Sequence, residues 1–315
     1  MPRATTPGRA AAATLVLLAV LGAGAAGAPE PSPLPVREIA PGVYVHEGVQ
    51  TEATVENLGG IANVGFVVGG AAVAVIDTGG SAALGERLRA AVRAVSDLPI
   101  RYVINTHVHP DHVFGNAAFV ADAPVFVGHA RLPGALAARG AYYLDALPES
   151  LGGAAAGTRV VAPTLTVADR LDIDLGGRVL RLTAHPTAHT DNDLTVQDTA
   201  TGTLWLGDLL FRERIPVIDG SLKGWLEVTE ELRRTEAARV VPGHGSVTED
   251  WPGALDPQGR YLRTLLDEIR AALAAGGRME AAVETVGRAE RGKWLLFDDY
   301  HARNVVTAFA ELEWE

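Results

Sequence analysis

The sequence predicts a mixed α/β protein, a sandwich of two sheets with helices outside, and three observations carry that prediction. Strand-like apolar runs open the chain beyond residue 36 in hairpin order, a β-α-β unit follows them, and the second half repeats the same texture. Two mixed halves of like order bury their apolar faces most simply as packed layers.

The elements follow in chain order. Runs at 42–47, 61–68 and 71–78 are strand-like, and Gly69-Gly70 supplies the turn between the last two. Ser81 opens a helix with Leu84, Leu88, Val92 and Val95 on one face, which ends before Pro99, and 100–105 is the next strand. In the second half, runs at 170–175 and 179–184 flank Gly176-Gly177. Strands at 194–197 and 203–206, a helix near 224–236 and a strand at Val240-Val241 come after them. Residues 130–157, rich in Ala, Gly and Leu with Tyr142 and Tyr143, separate the halves as a helix and loop over one edge. Residues 260–275 and 279–286 read as closing helices, and neither an internal repeat nor a linker to a second domain is evident.

With 315 residues and 48% hydrophobic content, the chain can bury a sizeable core. Its net charge of −11 argues against nucleic acid or an anionic membrane surface as partner. Cysteine is absent, which excludes disulfides, thiolate metal sites and a lipidated cysteine anchor. Any metal must be held by nitrogen and oxygen.

Residues 1–28 read as an export signal. Arg3 and Arg9 precede the apolar run 10–21, and small residues follow it, with cleavage expected between Ala25 and Ala28. Loss of Arg3 and Arg9 takes the net charge to about −13. The alternative, an uncleaved membrane anchor, rests on the length of the apolar stretch 10–28. Alternate prolines make 29–36 an extended linker, so the folded domain is expected over 37–315, in the periplasm or outside the cell.

The chemistry is concentrated in His107-Val108-His109-Pro110-Asp111-His112. Histidines two apart at a strand end point to one side and can share a cation. Pro110 suits a helix start, which puts Asp111 and His112 on a first turn facing a second ion. With 9 histidines and 38 carboxylates in 315 residues, this pattern arises by chance in roughly one chain in a thousand. Further ligand types follow apolar strands downstream: His189, Asp208 and His244, the last two beside glycines that let backbone approach an ion closely. Asp77, at the end of another strand, is placed either to orient a ligand histidine or to cap the turn after it. His46 and His129 read as strand-end residues and His185 as shaping the loop before His189, none of the three as a ligand, and His301 reads as a helix cap. Arg212, Arg214, Lys223 and Trp225 lie where a loop would overhang the metals, either to bind an anionic substrate or as a solvated charged loop.

The series Asp77, His107-x-His109-x-Asp111-His112, His189, Asp208 and His244, in this order and spacing, resembles the metallo-β-lactamase superfamily over nearly the whole chain beyond the linker. The resemblance implies a four-layer αβ/βα sandwich with its site between the sheet edges. It implies His107, His109 and His189 on one metal, Asp111, His112 and His244 on a second, and Asp208 bridging. Two zinc ions are the default, with iron or manganese the other ions in view. Lactamases with a cysteine ligand are excluded, and a bridging aspartate is the habit of the glyoxalase II-like and broad hydrolase branches. The segments 185–193, 214–220 and 296–301 resemble those of the quinoprotein relay system zinc metallohydrolases, which implies association with a periplasmic quinoprotein dehydrogenase.

The activity implied is hydrolysis of an ester, thioester or lactone-like bond in a small molecule. Two cations sharing a water lower its pKa toward about 7, with Asp208 and Asp111 orienting the resulting hydroxide and either Asp111 or a metal-bound water protonating the leaving group. The alternatives are mononuclear-iron sulfur oxidation through His107, His189 and Asp208, β-lactam hydrolysis, and a non-catalytic relay component.

Overall fold

The computed structural model describes residues 1–5 and 31–315; the export signal expected over 1–28 lies, beyond Thr5, outside the described residues. Seven strands form the first sheet in sequence order: β1 (Arg37–Ala40), β2 (Val43–His46), β3 (Val64–Val68), β4 (Val73–Ile76), β5 (Ile100–Ile104), β6 (Val125–His129) and β7 (Leu165–Val167). The pairs from β4 to β7 are parallel, and each parallel pair needs a crossover, which α1 (Ala82–Val95) supplies between β4 and β5. Ser81 caps α1 as the sequence predicts, its hydroxyl accepting the Leu84 N–H at 3.1 Å.

The second sheet contains β8 (Arg170–Asp174), β9 (Val179–Ala184), β10 (Leu194–Asp198), β11 (Thr203–Phe211) and β12 (Arg239–His244), in spatial order β12-β11-β10-β9-β8. Only β11 and β12 run parallel, joined through α4 (Leu222–Leu232).

The two-residue period of strands sorts each side chain into a layer. On β4, Val73 and Val75 pack with Leu84 and Leu88 of α1, while Ala74 and Ile76 face Leu180, Leu182 and Trp205 of the other sheet. On β11, Leu204 and Leu206 turn outward to α4, α5 (Asp256–Ala274), α6 (Met279–Thr285) and α7 (Phe297–Leu312), and Trp205 turns inward. The layers are therefore helix, sheet, sheet and helix, the four-layer sandwich expected.

Two parts of this architecture depart from the sequence reading. Strands β1 and β7 and helix α7 were not foreseen, and of β6 only its end at His129 was, because these strands are at most five residues long and the partners of β6 and β7 lie elsewhere in the chain. Strand β11 runs on to Phe211 through a register break at Gly207 instead of ending at Leu206. The interrupting segment is helix and loop as expected, its helix the 20-residue α3 (Leu132–Leu151), packed against Val108, Val113 and Phe114. Within the extended stretch 31–36, Leu34 is buried against α1 and donates its N–H to the Arg87 carbonyl at 2.8 Å. No helix among the described residues is long and apolar enough to cross a membrane.

Candidate metal centre

Parallel strands β5, β11 and β12 all end on one rim of the sandwich, and the candidate ligands sit there. His107 and His109 lie beyond the end of β5 in the loop leading to α2 (Pro110–Val113), not on the strand itself. Val108 between them is buried under α3, which turns both histidines the other way. Pro110 occupies the first turn of α2, as the sequence predicts, and brings Asp111 and His112 back toward the rim. His189 comes from the loop between β9 and β10, Asp208 from the irregular stretch of β11, and His244 is the last residue of β12.

Two glycines make this approach feasible. At Gly207 the backbone is left-handed (φ +50°), and a Cβ there would lie 2.7 Å from the Thr106 side chain. A Cβ on Gly243 would overlap the Asp208 Oδ1 atom itself. Asn63, just before β3, locks the end of β12 in place: its side-chain amide donates to the Pro242 and Gly245 carbonyls, both at 2.8 Å.

All seven predicted ligand residues are brought together, in two groups. One atom each from His107, His109, His189 and Asp208 lie within 4.8 Å of one another, and so do atoms of Asp111, His112 and His244. Asp208 faces both groups. Its Oδ2 is 3.3 Å from His189 Nε2 and 3.6 Å from His107 Nε2, whereas Oδ1 is 3.1 Å from His112 Nε2 and 3.4 Å from His244 Nε2. Among the described residues, His46, His129, His185 and His301 belong to neither group.

Each of the five imidazoles is held by its outer nitrogen, and the partner decides which nitrogen carries the proton. His189 Nδ1–H donates to the Val217 carbonyl at 2.7 Å, and His244 Nδ1–H to the Ile61 carbonyl at 2.9 Å. His112 Nδ1–H donates to Asp77 Oδ2 at 2.8 Å, and His109 Nε2–H to Asp219 Oδ2 at 3.1 Å. Thr106 gives its hydroxyl proton to Asp77 Oδ2 at 2.7 Å, which leaves its oxygen to accept from His107 Nδ1–H at 3.0 Å. Five nitrogen lone pairs therefore point inward. His109 Nδ1 is only 3.1 Å from His107 Nε2 and 3.0 Å from His189 Nε2, a convergence of ring nitrogens that a shared cation would relieve. The buried atoms His112 Nε2 and Asp208 Oδ1 have no hydrogen-bond partner. The donor set thus fits metal ions of the nitrogen- and oxygen-ligated kind.

The electrostatics agree. Burial pushes the His107 imidazole well below its ordinary range and His189 down to about 3, so both lone pairs stay available. Burial would also lower His112 and His244, but Asp208 with its fellow carboxylates outweighs it and raises both, a demand for positive charge between them. For Asp208, burial works upward, yet His244, His112 and the other imidazoles hold the carboxylate ionised.

Asp77 adopts a left-handed backbone (φ +51°), uncommon outside glycine, and its carboxylate bonds Thr106 and His112, so of the two roles open in the sequence it orients a histidine. Asp219 does the same for His109 and was missed, because the two are 110 residues apart and nothing local marks the pairing.

Above the two groups opens a cavity of about 580 Å³. Arg139, Tyr142 and Tyr143 of α3 wall one side, Arg214, Val217 and Asp219 another, and Tyr300 and Arg303 of α7 a third. Of the four loop residues expected over the metals, only Arg214 lines it. Because Ser221 caps α4 early, Lys223 and Trp225 are helical. Trp225 is buried with its indole N–H on the Leu209 carbonyl, and Lys223 pairs with Glu315. Arg212 bonds the Ser246 carbonyl. Arg214 is 2% exposed, lies over the Tyr300 ring at 5.5 Å, and leaves Nε and Nη1 without hydrogen-bond partners. His301 is inside α7, not at its cap. Its Nε2–H donates to the Val286 carbonyl, and its ring stacks on Phe297 in the outer helical layer.

The sequence profile of the metallo-beta-lactamase superfamily matches residues 58–244, which contain every one of these ligand positions. The chain belongs to the metallo-beta-lactamase superfamily. Solved superfamily structures share its fold. A metallo-beta-lactamase from Pontibacter korlensis superposes with a TM-score of 0.60 at 20% identity, over 73% of this chain and 99% of its own. One from Hirschia baltica gives 0.57 at 18% identity, over 73% and 98%. A curated relative, the linear primary-alkylsulfatase of Pseudomonas sp. (strain ATCC 19151), is 40% identical over 58 residues. That stretch is 18% of this chain, and the chain spans about a tenth, 11%, of the relative's length. The superfamily assignment and the His/Asp cluster make this protein a metal-dependent hydrolase.

Proposed function

We propose that the protein is an exported dinuclear-zinc hydrolase that cleaves an ester, thioester or lactone-like bond in a small anionic molecule. The observation that carries this reading is the division of Asp208, one oxygen toward each ligand group. His107, His109 and His189 would hold one ion, Asp111, His112 and His244 the other, and Asp208 would bridge them. When bound, such ions lower the pKa of a water between them toward about 7 and polarise the bond under attack.

The chain's own groups do the rest. Asp111 lines the cavity and is the more exposed of the two floor carboxylates, at 18% against 4% for Asp208. Burial acts to raise its pKa, but His112 and His244 keep it ionised, so it can accept a hydrogen bond from the attacking water and orient it. Arg214 pairs through Nη2 with Glu52 at 3.8 Å, and its Nε and Nη1, buried without hydrogen-bond partners, suit a carboxylate, phosphate or sulfate on the substrate. Export is supported by the basic-then-apolar start of the chain. Association with a quinoprotein dehydrogenase system is supported by the resemblance of segments 185–193, 214–220 and 296–301.

Metal analysis of the mature protein, combined with a screen of thioesters, lactones, sulfate esters and β-lactams, tests the reading. Two zinc ions per chain, and hydrolysis abolished by a chelator and restored by zinc, are expected. One iron per chain with sulfur oxidation would overturn it in favour of a His107, His189 and Asp208 triad.

A further inference from the structure

A second cleft, of about 230 Å³, opens beside the cavity between α3 and the segment that precedes β3. Its wall is made by Leu147 and Leu151 of α3 with Ala53 and Ile61 facing them, and Arg214 takes no part in it. The two spaces are continuous, because Asp111 and Tyr143 line both. Asp111 stands at that junction, and it is the acidic group of the cleft's wall. The ligand groups thus sit between an apolar recess on one side and a buried guanidinium on another.

We infer that this cleft receives an uncharged apolar part of the substrate, so that the enzyme takes amphiphilic molecules whose scissile bond lies between an alkyl or acyl portion and an anionic portion. The inference rests on the hydrolytic reading of the metal centre and names its substrate class. Pockets for small molecules are apolar spaces with a few placed polar groups, and an apolar recess open to water gains from every methylene it removes from solvent. A recess joined to the reacting centre at Asp111 can be filled by the same molecule whose bond is cleaved there. A group entering from the cavity meets Tyr143 first and then the leucines of α3.

Straight-chain carboxylates from acetate to decanoate, titrated calorimetrically into the metal-loaded protein, test this without turnover. Affinity should rise about fourfold per added methylene, the equivalent of ~0.8 kcal/mol for one buried CH₂, and then level off as the cleft fills. Ala146→Phe, which adds bulk to the cleft wall, should flatten the series while acetate still binds. Ser150→Phe, at an exposed lining position, gives the same readout if the first variant does not fold. Affinity indifferent to chain length, or the same rise in both folded variants, overturns the inference. A rise with chain length but no hydrolysis in the screen would sink the hydrolytic reading and leave the cleft's preference standing. Hydrolysis without chain-length dependence would do the reverse.

Discussion

The floor of the cavity and its wall are built differently. The floor consists of strand ends and the loops that follow them, and every imidazole on it is fixed by a second bond to Asp77, Asp219, Thr106 or a backbone carbonyl. The wall comes from α3, α7 and the segment after β11, and it carries Arg139 and Arg303 with exposed side chains and Arg214 with two unpaired nitrogens. The floor is preorganised for one chemistry, while the wall leaves donors available for whatever enters. Rigid support and free valence are thus kept apart, except at Asp219, a wall residue that steadies His109 and also pairs with Arg139 and Arg303.

The largest expected effect tests the floor. Asp208→Ala removes the group shared by both ligand sets, so turnover should fall to background and the metal content of the purified protein should drop. Retained turnover with two ions bound would show that no bridge is needed. Next come the supports. Asp77→Asn and Asp219→Asn should each weaken metal affinity by roughly 10- to 100-fold, as measured by competition with a chelator. If Asp219→Asn altered only substrate affinity, Asp219 would belong to the wall alone.

At the wall, Arg214→Met should leave metal content unchanged and raise KM for an anionic substrate by about tenfold or more, the worth of one or two charged hydrogen bonds. The same variant should melt close to the parent, because Nε and Nη1 have no hydrogen bond to lose and the long pairing of Nη2 is with Glu52, whose exposed carboxylate water can solvate. A clear drop in melting temperature would mean that Arg214 is structural.

The smallest effect lies outside both regions. Burial would raise Glu290, but Arg260, Lys293 and Trp294 hold its carboxyl down to about 2 from an ordinary 4.5. A depressed folded-state pKa gives stability that is present above about pH 4.5 and lost as pH falls toward 2. Denaturation of Glu290→Gln across that window should therefore converge on the parent at the acid end, with metal binding unaffected.

The floor was legible in the sequence because its signals are local. Four candidate ligands fall within six residues, and the other three each follow an apolar run or stand beside a glycine. The wall was not, because its contacts join residues 80 to 110 positions apart, as in Arg139 to Asp219 and His109 to Asp219. Local texture also misled where helix boundaries decide exposure. Lys223 read as loop until the Ser221 cap places it in α4, and His301 read as a cap but is packed into α7. Short parallel strands such as β6 and β7 owe their existence to neighbours, which periodicity within a few residues does not reveal.

Gly243 has a bearing on how such an enzyme can evolve. A side chain of any kind at that position competes with Asp208 for the same space, so mutation there cannot adjust the ligand set by small degrees. Adaptive change is thereby channelled away from β12 and toward α3, α7 and the Arg214 segment, where side chains can be exchanged singly while the seven clustered His and Asp side chains keep their places.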